Sequence, residues 1–123
     1  MKLRDSLYTI RNRQAQGTAV SFDLLLNADH PIYHAHFPGE PITPGVCVIQ
    51  IAKELLEETL GRPLAVRAVK NVKFLAVISP ITDPQIRYTI DGIQETSDGV
   101  KAVVDVTAEG RVMTHLSFTL SGL

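Results

Sequence analysis

A single apolar segment of this sequence does not alternate, and that exception limits what the chain can fold into. From Gly45 to about Leu60 the apolar residues continue through consecutive positions, the pattern of a helix rather than a strand. Pro44 supplies a start, Gly61 a left-handed stop, and Arg62-Pro63 prevents continuation. Val46 to Ala52 is apolar nearly all round, which requires burial on several sides, whereas Lys53, Glu54, Glu57 and Glu58 give the second half a wet face.

Elsewhere the period is two. Val20, Phe22, Leu24 and Leu26 share one parity between Thr18 and Asn27, with Ser21 and Asp23 on the other. After Pro63, one face carries Val66, Ala68, Val72, Phe74, Ala76 and Ile78, and Lys70 interrupts it as a bulge would. Ile86, Tyr88 and Ile90 repeat the alternation, as do Val100 to Ala108 and then Val112, Leu116, Phe118 and Leu120. Ser79-Pro80, Asp83-Pro84, Asp98-Gly99 and Glu109-Gly110 punctuate these runs at spacings suited to hairpins and antiparallel neighbours. The pattern predicts an α+β fold, an antiparallel sheet wrapped around one helix.

The 123 residues suit one domain over 1–123, large enough to bury a core without covalent staples. Cys47 is the sole cysteine, set among apolar neighbours, so no intrachain disulfide can form and a reducing, cytoplasmic setting is expected. Met1 to Gln16 carries Lys2, Arg4, Arg11 and Arg13 but no stretch apolar enough for a signal peptide or membrane span. The formal net charge of −1 and the scatter of charge give no footprint for nucleic acid. A small or carrier-borne substrate fits better.

Chemistry concentrates between Asp29 and Gln50, where prolines and glycines stiffen the approach to the helix. His36 can take and return a proton near neutral pH. Gly45, at the helix start, leaves a backbone N–H unpaired and sterically open, suited to a carbonyl oxygen gaining negative charge. Together they suit proton removal alpha to a thioester carbonyl. His30, His34 and His36 complete no familiar metal spacing, and they read as loop and strand histidines. No metal or redox cofactor is implied.

The string His36-Phe37-Pro38-Gly39, Pro41 and Pro44-Gly45-Val46 resembles the signature of the 3-hydroxyacyl-acyl-carrier-protein dehydratases of fatty acid synthesis. The likeness extends through Asp29 to Ala35 before it and Val69 to Pro80 after it. What the resemblance implies is a hotdog fold dimerised into one continuous sheet, with two sites at the interface. It implies His36 as the catalytic histidine, Gly45 as the donor to the thioester carbonyl, and an acyl tunnel lined by apolar residues. Phe37, Pro44, Val46, Ile49 and Glu54 are the candidates to touch the substrate. The expected partner is an acyl carrier protein bearing a phosphopantetheine-linked chain, docking on Arg62, Arg67, Lys70 or Lys73 by charge.

One position departs from the family pattern. Gln50 stands where the family has Glu or Asp to protonate the departing hydroxyl, and an amide can hold that hydroxyl but cannot supply a proton. Three readings follow. His36, or Glu54 one turn beyond Gln50, donates the proton; a carboxylate-bearing paralogue completes the site in a heterodimer instead of the homodimer; or the chain is a thioesterase in which Gln50 positions water. A non-catalytic acyl-binding subunit belongs with the second.

Overall fold

The computed structural model describes residues 1–123. Six strands and two helices follow in the order β1 (Tyr8–Gln16), β2 (Ala19–Leu26), α1 (Pro31–Ala35), α2 (Gly45–Leu60), β3 (Leu64–Phe74), β4 (Gln85–Thr96), β5 (Gly99–Ala108) and β6 (Arg111–Gly122). The strands make one sheet in the order β1-β2-β4-β5-β6-β3, antiparallel throughout. Cys47, Val48, Ile51, Ala52, Leu55 and Leu56 of α2 share one core cluster with the inward residues of the strands. This is the hotdog arrangement, a sheet packed over a single helix.

The alternation of β2 is reproduced, with Val20, Phe22, Leu24 and Leu26 buried and the residues between them half-exposed. The helix starts and stops at its signals: Pro44 is the N-cap, and Gly61 closes the other end in the left-handed region at φ 71°, its N–H donating to the Glu57 carbonyl. Glu109 and Gly110 both take positive φ, 50° and 78°, the two-residue turn whose twist matches that of the flanking strands.

Several expectations are corrected. The segment through Ser79 and Pro84 is a crossover and no hairpin, because β3 lies beside β6 whereas β4 lies between β2 and β5. The long face expected after Pro63 is broken at Phe74, where β3 ends and the residue is 52% exposed, while Ala76 and Ile78 beyond it turn back to the core. The interruption at Lys70, by contrast, falls where a bulge is expected: the β3–β6 register shifts between Lys70 and Lys73, with Asn71 at φ 53°. Val112 is exposed and Met113 buried, since the β5–β6 register shifts beside Val106 and Thr107. Residues 8–16 form β1, which no alternation announced: only Tyr8 is buried there, so the strand is held by backbone pairing to β2. His34 is not on a loop or strand, because it lies in the short helix Pro31–Ala35, which His30 caps from the loop before it.

Candidate functional site

The loop that carries His36 closes on itself. The Ile42 N–H donates to the His36 carbonyl at 2.9 Å, and His36 Nδ1 lies 3.2 Å from the Ile42 carbonyl. A carbonyl oxygen only accepts, so this contact requires the proton on Nδ1 and leaves Nε2 of the neutral ring with its lone pair. Nε2 has no partner within the chain. Phe37 stacks on the imidazole at 4.3 Å between ring centres, itself about half exposed. Reciprocal bonds between Phe37 and Glu40, at 3.2 and 3.1 Å, tighten the turn through Pro38 and Gly39.

Two further contacts fasten this loop to the body of the protein. The buried Tyr33 hydroxyl meets Thr43 Oγ1 at 2.8 Å, and the Thr43 N–H donates to the Ile78 carbonyl at 2.8 Å. Burial pushes the Tyr33 phenol up despite the opposing hydrogen bond, so it stays neutral. His30 caps α1 by accepting the Ile32 N–H on Nδ1 at 3.1 Å, while His34 is exposed. Neither His30 nor His34 joins His36 in a cluster of three metal-ligating side chains.

Pro44 is buried and gives α2 no side-chain cap. Its carbonyl accepts from Cys47 and Val48, whereas the Gly45 N–H precedes any intrahelical acceptor and meets no side-chain or loop oxygen. The Cα of Gly45 is packed on its side-chain face. The Phe74 ring lies against it so closely that a Cβ built at position 45 would stand 2.8 Å from Cζ. Val46 is 65% exposed and Ile49 half-buried, and together with Phe74, Leu75 and Val77 they leave apolar side chains uncovered on the segments that meet at Gly45. Burial raises the Cys47 thiol, two residues on.

Gln50 and Glu54 face elsewhere within the protomer. Gln50 Nε2 donates to the Met1 carbonyl and to Glu54 Oε2, both at 2.8 Å. Glu54 also accepts the Leu3 and Arg4 N–H groups at 2.8 Å and the Tyr8 hydroxyl at 2.9 Å. Burial, then the Glu54 charge, raises the Tyr8 phenol far above its usual range. A polar groove of about 530 Å³ runs over Gln50, Lys53, Glu54 and Arg4, and a second of about 750 Å³ lies by Arg11, Asp83 and Arg87. Neither is lined by His36 or Gly45, so the apolar tunnel expected beside them is not one of these two grooves. The candidate residues thus fall in two places: His36, Phe37, Pro44, Gly45 and Val46 on the loop that leads into α2 and on its first turn, and Gln50 with Glu54 under the N-terminal segment.

Two contributors were missed from the sequence. Phe74 was placed in the core by its parity, and nothing local reveals that its ring packs on the Cα of Gly45. The grip of the N-terminal segment on Glu54 joins residues 46 to 51 positions apart, which no periodicity reports.

Residues 12–111 match a family model described as ApeI-like, ApeI dehydratase. The 3-hydroxyacyl-[acyl-carrier-protein] dehydratase FabZ of Latilactobacillus sakei subsp. sakei (strain 23K) is 26% identical over 102 residues, 77% of this chain and 73% of that protein. The FabZ of Rickettsia felis is 29% identical over 102 residues, 76% of this chain and 69% of its own. The solved dehydratase heterocomplex ApeI:P from Xenorhabdus doucetiae superposes with a TM-score of 0.71 at 17% identity, over 92% of this chain and 96% of that one. A hypothetical thioesterase from Streptococcus pneumoniae TIGR4, solved with coenzyme A, gives 0.65 at 12% identity, over 94% and 85%. At such identities the two structures attest the fold.

Proposed function

Since the chain belongs to the ApeI-like dehydratase family, we propose that it binds a 3-hydroxyacyl or 2-enoyl thioester delivered on an acyl carrier protein and interconverts the two. His36 Nε2 is the base that takes the alpha proton, and the Gly45 N–H stabilises the thioester oxygen as charge builds on it. Gln50 holds the beta-hydroxyl. The observation that carries this reading is the bond from His36 Nδ1 to the Ile42 carbonyl, because it fixes the tautomer in which Nε2 is the proton acceptor. Phe37, Pro44, Val46 and Ile49 make the apolar surroundings of the acyl chain, and the Phe74 ring against the Cα of Gly45 borders the same place.

A site shared by two subunits reconciles this chemistry with the separation of His36 from Gln50. The outer edge of β3 has no strand beside it, and Phe74, Leu75 and Val77 are 52%, 60% and 63% exposed at or just beyond its end. Exposed apolar side chains next to an unpaired edge are what a partner strand would cover. That partner is a second copy or, because Gln50 cannot donate a proton, a paralogue that brings a carboxylate. Lys70 and Lys73 stand exposed on the same strand without an ion pair, available to an acidic carrier, while Arg62 is paired with Glu95 at 2.7 Å and Arg67 bonds Ser121. A cytoplasmic setting fits such a substrate, and no helix is long and apolar enough to cross a membrane.

The deciding experiment measures hydration of a carrier-linked 2-enoyl thioester by the purified chain and by its His36→Ala and Gln50→Glu variants. Activity in the unaltered chain that disappears with His36→Ala supports the enzyme acting alone. Activity seen only in Gln50→Glu assigns the chain to a heterodimer whose other subunit carries the acid. Thioester cleavage without hydration would overturn the dehydratase reading in favour of a thioesterase.

A further inference from the structure

A glutamine side chain has two N–H donors on one end and a carbonyl acceptor on the other. In Gln50 both donors are used inside the chain, one by the Met1 carbonyl and one by Glu54 Oε2. The recipients are a carbonyl and a carboxylate, both acceptors, so the amide cannot be turned over: the flipped form would point its oxygen at them. Glu54 cannot swing away to release it. Its Oε2 also accepts the Leu3 N–H, and its Oε1 accepts the Arg4 N–H and the Tyr8 hydroxyl. Leu3 and Leu7, which anchor that segment, are buried in the core cluster. Gln50 Oε1 receives no donor from the chain, and the half-buried side chain lines the groove beside Lys53.

We infer that Glu54 is a positioning residue which makes Gln50 an acceptor-only group, so that position 50 selects a thioester carrying a hydroxyl donor over the same thioester without one. The inference rests on the acyl-thioester reading above and gives its site a direction. A 3-hydroxyacyl chain offers an O–H at the third carbon, whereas saturated and 2-enoyl chains offer no donor there. An acceptor facing the hydroxyl also holds it as a hydroxyl and gives no help to its departure as water. The side chain is thus a reader of the substrate and no substitute for the acid.

The test compares binding of a 3-hydroxyacyl pantetheine thioester with its saturated counterpart of equal length, by calorimetry. The unaltered chain is expected to prefer the hydroxyl compound about fivefold, the worth of one hydrogen bond. Gln50→Leu should bring the ratio close to one, and Glu54→Leu should at least halve it. A purely structural role for Glu54 would weaken both compounds equally and leave the ratio unchanged, which would overturn the inference. A ratio near one in the unaltered chain, with both compounds bound, would also overturn it while leaving the thioester reading intact. If neither compound binds, the thioester reading fails, and the selectivity with it. Should Glu54→Leu not fold, the side-chain amide protons of Gln50 decide the clamp by NMR in the unaltered chain: slow solvent exchange of both supports it, and fast exchange of either refutes it.

Discussion

The two ends of α2 are treated in opposite ways. At the far end almost every polar group is engaged: Glu54 takes three donors from the N-terminal segment, Glu57 accepts the Leu64 N–H at 2.8 Å, Arg4 pairs with Glu58 at 2.7 Å, and Gly61 closes the last turn. At the near end Pro44 offers no side-chain cap, Gly45 keeps its N–H, and an aromatic ring packs on the Cα of Gly45. A helix anchored at one end can leave the other unsatisfied without losing its place. The bare end then carries a partial positive charge at a fixed position, which is what an oxygen gaining negative charge requires.

The largest expected effect falls at the bare end. His36→Ala should lower hydration of a carrier-linked enoyl thioester by about a hundredfold to ten-thousandfold, far more than the small fall in stability from losing the ring's bond to Ile42, about 1 kcal/mol, since the role is chemical. A proportional loss of both would mean that the imidazole only supports the loop. Second is the anchored end, where Glu54→Ala should cost roughly 2 kcal/mol, read as a lower urea midpoint, because it strands donors that the carboxylate served. A midpoint that did not move would remove the contrast between the two ends.

A smaller effect is set by pH. The folded Tyr8 phenol ionises far above its ordinary value near 10, through burial and then the Glu54 charge. Its contribution is therefore complete below pH 10 and declines as pH rises beyond it, because the unfolded phenol loses its proton first. Tyr8→Phe should flatten this alkaline limb, measured by denaturant midpoints between neutral pH and pH 11. Least in stability is Phe74→Ala, which should cost under about 1 kcal/mol because the ring is half exposed, yet strengthen thioester binding by freeing the space beside Gly45. Weaker binding would make the ring part of the acyl surface instead of its cover.

The helix and most of the sheet were legible because burial leaves a period in the residues, as Val20, Phe22, Leu24 and Leu26 illustrate. β1 was not, since between Thr9 and Gln16 only Ile10 packs, in part, against the core and the pairing with β2 is mainly through backbone. Phe74 misled for the converse reason: it keeps the parity of a buried face at the point where the strand ends, yet is half exposed while Ala76 and Ile78 beyond it pack on the core. At the site, the loop chemistry of His36 and the bare start at Gly45 could be read locally. The partners of Gln50 and Glu54 could not, because they depend on where the fold returns the first eight residues of the chain.

Cys47 lies in the first turn of α2, 3% exposed and with its thiol held in the neutral form by burial. A buried, protonated sulfur reacts slowly with alkylating reagents until its surroundings open. The chain therefore carries a native chemical clock two residues from Gly45, and its alkylation rate times how often the bare end of the helix loosens, with no label to be engineered.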